Sequence, residues 1–415
     1  MVRTEERGSR KLWENLEMRV VMLRTILKRY GGQRHPNIED FDESDLVEWR
    51  YVPPNSTMIY VSHEWAGTDR PDPDGTQMYH LTYMLERLQN GEVSRTDMDA
   101  FHSLLYKHNV TTTADDWKRI LNSEKTYIWY DGFCVPSSRR EDGFRSIPSY
   151  IRRCDFMIIL APGCTHFDRI DPRTERRMNL CYRTYRLRAR CVFEIFCAFL
   201  TTRGGEKARP ALLVRSGTGT PNWISPLECL KLAVGTSTFE CCETNHTILI
   251  SCRRLWAIKM LKELIRKRAA SLFKAKHTAE ARITICGESW WMRELEIRKK
   301  RRVSVHEFKA EILRWNNHID GEWFDRDSFS VLVYAVISDR TEVVRDLLVL
   351  LEGVKDPHIR ARRLCSSVPK AGLPSLGFSG SVTALVLAMG FGSHEVASLL
   401  LEHGADPYVM FKDKA

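Results

Sequence analysis

Apolar residues recur along this chain with several rhythms, and each rhythm predicts a different element. In 11–30, Leu12, Leu16, Val20, Leu23 and Leu27 fall at helical spacing and Gly31-Gly32 ends the pattern, predicting an amphipathic helix. A polar, acidic stretch over 33–49 follows, and Pro53-Pro54 marks the entry to a new region. From 57 to 243 short apolar runs alternate with helical segments. Strands are predicted at Met58-Ile59-Tyr60-Val61, Tyr127-Ile128-Trp129-Tyr130, Phe156-Met157-Ile158-Ile159-Leu160 and Ala211-Leu212-Leu213-Val214. Helices are predicted over 77–88, where Met78, Leu81, Leu85 and Leu88 share a face, over 147–152, and around Glu194. This alternation predicts an α/β unit, a parallel sheet with helices on both faces that binds ligands beyond the carboxyl ends of its strands. The mixed polarity of 90–125 breaks the rhythm and reads as an insertion with a helix near Trp117.

Further along, Leu249, Cys252, Trp256, Met260 and Leu264 line one face of a long helix over 247–276, opposite a dense basic face. Ser304-Val305-His306-Glu307 has the form of a capping box and predicts a helix running towards Trp315. The end of the chain repeats itself. Ser330-Val331-Leu332-Val333-Tyr334-Ala335 matches Thr383-Ala384-Leu385-Val386-Leu387-Ala388, and Glu342-Val343 with Leu347-Leu348 matches Glu395-Val396 with Leu400-Leu401, at one constant offset. The second copy, closing on Glu402-His403-Gly404-Ala405-Asp406-Pro407, resembles an ankyrin repeat. Gly404 suits the left-handed end of a helix and Asp406-Pro407 the turn after it. The reading is two repeats over 323–415, joined by a long loop at 353–380.

Composition narrows the class. The 415 residues, 43% of them hydrophobic, suffice for two or three domains. The first residues lack the apolar core of a signal peptide, and no apolar run reaches the roughly 20 residues of a membrane span. A soluble cytoplasmic protein is expected, with nuclear import through Arg298, Lys299, Lys300, Arg301 and Arg302 as the minority reading of that basic run. The formal charge of +10, concentrated around 173–190 and 298–302, favours anionic partners, though nucleic acid is not expected among them. Twelve cysteines with no C-x-x-C pair fit neither a disulfide framework nor a zinc ribbon. The cluster Cys241, Cys242 and His246 matches no standard metal site, so no metal is expected.

Glu194 is the residue that asks for an explanation. It lies in the apolar run Cys191-Val192-Phe193-Glu194-Ile195-Phe196-Cys197, where an unpaired carboxylate is costly to bury. Either it reaches a cleft and does chemistry, or it pairs with Arg190 four residues earlier on the same helix.

The middle of the chain resembles a TIR domain, the Toll/interleukin-1 receptor type also found in NAD-cleaving enzymes. Ile59-Tyr60-Val61-Ser62-His63-Glu64-Trp65 resembles its first strand and loop, and Ile128-Trp129-Tyr130-Asp131 its second strand. Ser146-Ile147-Pro148-Ser149-Tyr150-Ile151 and the strand after it, running to Ala161-Pro162-Gly163, resemble its next helix and third strand. Cys191-Val192-Phe193-Glu194 falls on its Trp-Cys-x-x-Glu segment, with Arg190 where the tryptophan stands. The resemblance implies a flavodoxin-like parallel sheet over 56–246, preceded by a helix and linker over 1–55 and followed by a basic helical connector over 247–322. It implies one of two functions. The first is a signalling adaptor that binds other proteins, and itself, through the sheet unit and the C-terminal all-α ankyrin segment. The second is hydrolysis of NAD+, a substrate rather than a required cofactor, at the nicotinamide-ribose bond. In the second, Glu194 is the catalytic carboxylate, and Ser62, His63, Trp65, Asp131, Arg188 and Arg190 hold the dinucleotide, the arginines at its pyrophosphate.

Overall fold

The computed structural model describes residues 15–34, 41–106, 109–122, 124–171, 173–201, 209–225, 253–292, 302–313, 319–320, 323–325, 329–368 and 382–408, with Glu228, Cys229, Leu232, Val234 and Ser237. They form two compact units. The first takes the described residues up to Asp99, from Asn109 to Thr201 and from Arg209 to Ser225; the second takes the remainder.

The first unit is built on a seven-stranded mixed sheet. Its strands are β1 (Arg19–Met22), β2 (Leu46–Glu48), β3 (Thr57–His63), β6 (Thr126–Trp129), β7 (Phe156–Leu160), β10 (Ala211–Val214) and β11 (Asn222–Ile224). The hairpins β4 (Arg95–Asp97) with β5 (Thr111–Thr113) and β8 (Cys164–Ile170) with β9 (Arg177–Leu180) stand outside it. The sheet order is β11-β10-β7-β3-β6-β1-β2. The four strands β10, β7, β3 and β6 are parallel, and the additions at both edges are antiparallel. The central strands carry apolar residues without alternation, because helices cover both faces; Met58, Ile59, Tyr60, Ile158, Ile159 and Leu160 are all buried.

Two expectations at the amino end change. Residues 1–14, including Leu12, lie outside the described residues, and Val20 belongs to β1 rather than to a helix. Val20 and Val21 are adjacent and both fully buried, as a strand covered on both faces allows and a one-sided helix does not. The helix is only Leu23–Tyr30, and the polar stretch before Trp49 contributes β2. The helix foreseen over 77–88 is Thr76–Asn90, ended by Gly91 in the left-handed region at φ 76°, and that over 147–152 extends to Arg140–Arg153. Within 90–125 a helix, Ala114–Ile120, does form around Trp117. Its indole stacks on Trp223 at 5.5 Å between ring centres and donates to Thr96 Oγ1 at 2.9 Å.

The second unit is helical over most of its described residues. Arg253–Lys274 is the long basic helix, and Ser304 with Glu307 makes the predicted capping contacts before Val305–Leu313. The two C-terminal repeats are helix pairs, Val331–Ile337 with Thr341–Glu352 and Ala384–Gly390 with His394–Glu402. Ser330 and Thr383 cap the first helix of each pair, and Asp339 and Gly392 occupy the left-handed region at the same place in each, at φ 49° and 70°. The loop foreseen at 353–380 contains a helix, Pro357–Leu364, started by Asp356 with proline at the first helical position, while 369–381 lies outside the described residues.

A third layer precedes the two. Thr278–Cys286 packs on Val331–Ile337 as Val331–Ile337 packs on Ala384–Gly390, and each begins 53 residues after the one before. Glu288–Trp291 likewise begins 53 residues ahead of Thr341–Glu352. Three stacked copies answer the difficulty that two short repeats cannot bury a continuous core. Replacing Ser330 by alanine removes both the cap to Val333 N at 3.0 Å and the contact with Ser366 Oγ at 2.8 Å. The expected loss is about 1–2 kcal/mol in urea unfolding.

Candidate functional site

The chemistry-bearing residues foreseen in the sequence meet at the carboxyl ends of β3 and β6. Successive strand residues point to opposite faces. Ser62 therefore faces the helix Ala189–Leu200, which carries Arg190 and Glu194, while His63 faces Gln77 on Thr76–Asn90. Asp131 follows β6 and opens the short helix Asp131–Cys134.

Glu194 is 2% exposed and both of its oxygens are engaged. Ser62 Oγ donates to Oε2, and Arg190 Nε donates to Oε1 at 3.1 Å. Tyr185 OH reaches Ser62 Oγ at 2.6 Å, completing a buried chain. Burial pushes the Glu194 carboxyl above its ordinary range, and Arg190 and the Ser62 hydroxyl oppose that rise.

Asp131 is the hub on the other side. It accepts from His63 Nε2 at 2.7 Å, from Trp65 Nε1 at 2.7 Å and from Arg190 Nη2. Burial alone would raise its carboxyl, but the charges of Arg190 and His63 and the hydrogen bonds from His63 and Trp65 outweigh burial and hold it well below the usual range. Gln77 Nε2 donates to Glu64 O at 2.7 Å, which turns Gln77 Oε1 towards His63 Nδ1 at 2.6 Å. Both ring nitrogens of His63 thus face acceptors, the arrangement of an imidazolium. Burial lowers the pKa of His63, yet the net direction is upward because Asp131 stabilises its charge. Two cations, His63 and Arg190, are matched by two carboxylates, Asp131 and Glu194, within one buried network.

A small cavity of about 70 Å³ opens beside this network, walled in part by Trp65, Trp129, Asp131, Arg140, Phe144 and Arg190. The guanidinium groups of Arg140 and Arg190 lie 5.0 and 5.5 Å from the centre of the Trp65 ring. Glu194 is not among the walls.

Ser62, His63, Trp65, Asp131, Arg190 and Glu194 are therefore brought together. Arg188 is not: its Nε lies 3.6 Å from Glu64, and it is not among the cavity walls. Sequence reasoning missed Gln77, Tyr185 and Arg140, which come from elements without a motif of their own. The run Ser216-Gly217-Thr218-Gly219 is held as a turn, with Arg87 Nη1 donating to the carbonyls of Gly217 and Gly219, each at 2.8 Å. Cys241, Cys242 and His246 lie outside the described residues, as do four of the five residues of the basic run ending at Arg302. Among the described residues no cluster of three or more His, Cys, Asp or Glu side chains has the arrangement of a metal site, and no helix is long and apolar enough to cross a membrane.

Comparison with known families matches residues 382–412 to the ankyrin repeat. Those residues include the helix pair Ala384–Gly390 and His394–Glu402, so an ankyrin repeat is present and a protein-binding role for this part of the chain is supported. Neither the curated proteins nor the solved structures give a match.

Proposed function

We propose that the chain is an interaction protein in which a TIR-like sheet unit and an ankyrin-type stack both present surfaces to protein partners, as a signalling adaptor does. The condition of Glu194 carries this reading. A carboxylate that works on a substrate must offer it an oxygen, and this one is 2% exposed with both oxygens bound inside the protein. Its effect is to hold Arg190, which in turn holds Asp131. The TIR-like reading is supported by the parallel strands β6-β3-β7-β10, which run in the chain order second, first, third, fourth, as in flavodoxin-like sheets.

The cavity favours a second reading, hydrolysis of NAD+. Trp65 offers a ring to stack on, and Arg140 and Arg190 offer cations for a pyrophosphate. Glu194 would then leave Ser62 and Arg190 to hold the ribose hydroxyls and stabilise the oxocarbenium-like state. At about 70 Å³ the cavity is well short of the roughly 300–1,000 Å³ of pockets that enclose ligands of drug size, so this reading also requires the site to open. Incubating concentrated protein with NAD+ and measuring nicotinamide separates the two. The interaction reading expects no release above the level of the Glu194→Gln variant, and release that this substitution abolishes would establish the enzyme instead.

A further inference from the structure

The formal charge of the chain is not spread evenly. The helix Arg253–Lys274 contains eight Lys and Arg against a single acid, Glu263, a net +7 beside the +6 of 173–190 and the +5 of 298–302. Its apolar side is used up by the fold: Ala257, Leu261, Leu264, Ile265 and Leu272 are each at most 1% exposed. What remains outward is mainly a cationic stripe, with Leu255 and Ala270 also exposed on that side. Lys259, Arg266, Lys267 and Lys274 are exposed and Lys262 is half-exposed, all within one side of the helix at steps of three, four or eight residues. At 1.5 Å per residue the stripe from Lys259 to Lys274 is about 22 Å long. Glu263, the one acid on this side, is taken by Lys267 at 3.0 Å.

We infer that this stripe binds the phosphodiester backbone of a nucleic acid without regard to base sequence. A solvated surface helix normally mixes the two signs, because like charges one turn apart repel. A run of cations with one carboxylate is favourable when a polyanion lies along it and its counterions are released. A lipid surface fits less well, since a helix that binds membranes buries its own apolar face in the bilayer and here that face is buried in protein, with Leu255 the exposed exception. An acidic protein would need a carboxylate at each turn over 22 Å, whereas a nucleic acid strand supplies charge at every residue of its length. The inference reverses the expectation drawn from the sequence, where the dense basic face of this helix was located but nucleic acid was disfavoured as a partner. It is independent of the reading of the sheet unit.

Fluorescence anisotropy of the full chain with a labelled 20-mer of single-stranded RNA, and separately with a 20-base-pair DNA duplex, tests it across a salt series. Both should bind, and log K should fall linearly with log salt. The triple variant Lys259→Gln, Arg266→Gln, Lys274→Gln should bind about tenfold or more weakly at 100 mM salt. Its slope should be shallower by about 2–3, as expected for three lost phosphate contacts. A matched variant neutralising Arg24, Lys118 and Arg119 should keep the wild-type slope, and circular dichroism should be the same for all three proteins. Absence of binding to either nucleic acid at 50 mM salt would overturn the proposal. So would equal slopes for the wild type and the stripe variant, equal loss in the matched variant, or tighter binding to poly-glutamate or to phosphatidylserine vesicles.

Discussion

Replacing Asp131 by alanine is expected to destabilise the sheet unit by about 3–5 kcal/mol, the largest single effect in the buried network, because it strands cations instead of removing a matched pair. Three donors converge on this carboxylate: His63, Trp65 and Arg190. His63 matters most, since its side chain is 2% exposed and cannot recover the lost partner from water; Arg190, at 31%, partly can. Urea unfolding should show a lower midpoint with an unchanged slope. The pH dependence has a definite sign. The carboxyl of Asp131 is held below its ordinary value of 3.8, so its contribution is present in full above about pH 4 and is lost as the pH falls through the depressed folded value. The difference between wild type and Asp131→Ala should therefore narrow in acid, and should narrow again as the pH rises through the raised pKa of His63, where the imidazolium that Asp131 stabilises loses its proton. A deficit that widened as the pH dropped below 4 would mean that the carboxyl is not depressed.

Much of the sheet unit was legible in the sequence, and for a physical reason. Strands covered on both faces read as unbroken apolar runs, so β3, β6, β7 and β10 announce themselves. The edge strands did not. In β2 every residue is half-buried, and in β1 the spacing of Val20 between Leu16 and Leu23 happens to suit a helix. The hairpin of β8 and β9 has mostly exposed or half-exposed residues with no apolar period to detect.

The first layer of the helical stack was hidden by its own core. Thr278–Cys286 buries Glu280, Arg282 and Thr284 as well as Ala279, Ala281 and Ile283, so no single apolar face marks the helix. Arg282 stands where the following copies have Ala335 and Ala388, counting by the 53-residue step. The stack accommodates it by pairing Arg282 with Asp325, which also accepts from Tyr334 OH at 2.9 Å and from Phe329 N at 2.9 Å. A buried ion pair of this kind is a poor source of net stability, but removing either partner alone leaves the other charge buried and unmatched. No apolar pattern search finds it, because its signal is a pair of charges 43 residues apart.

The candidate site was legible in part. Glu194 could be named because it stands out in an apolar run, and Arg190 by the helical step to it, whereas Ser62, His63, Trp65 and Asp131 were named through the resemblance of their strand ends to those of a TIR domain. Whether Glu194 faced a cleft or a partner was not readable, since both give the same letters. The helical step from Arg190 to Glu194 made the ion pair geometrically available, and burial of Glu194 then removed the alternative of a solvated surface pair.

Glu194 binds Ser62 and Arg190 inside the fold, the position of a structural anchor. Residues kept for catalysis commonly weaken the fold that carries them, so removing one leaves stability unchanged or raises it. A residue kept as an anchor behaves in the opposite way. Urea unfolding of Glu194→Ala beside the wild type measures this directly. The account predicts a loss of about 2–4 kcal/mol, from the vacated volume and from Ser62 and Arg190 losing their shared acceptor. A variant as stable as the wild type, or more stable, would contradict it.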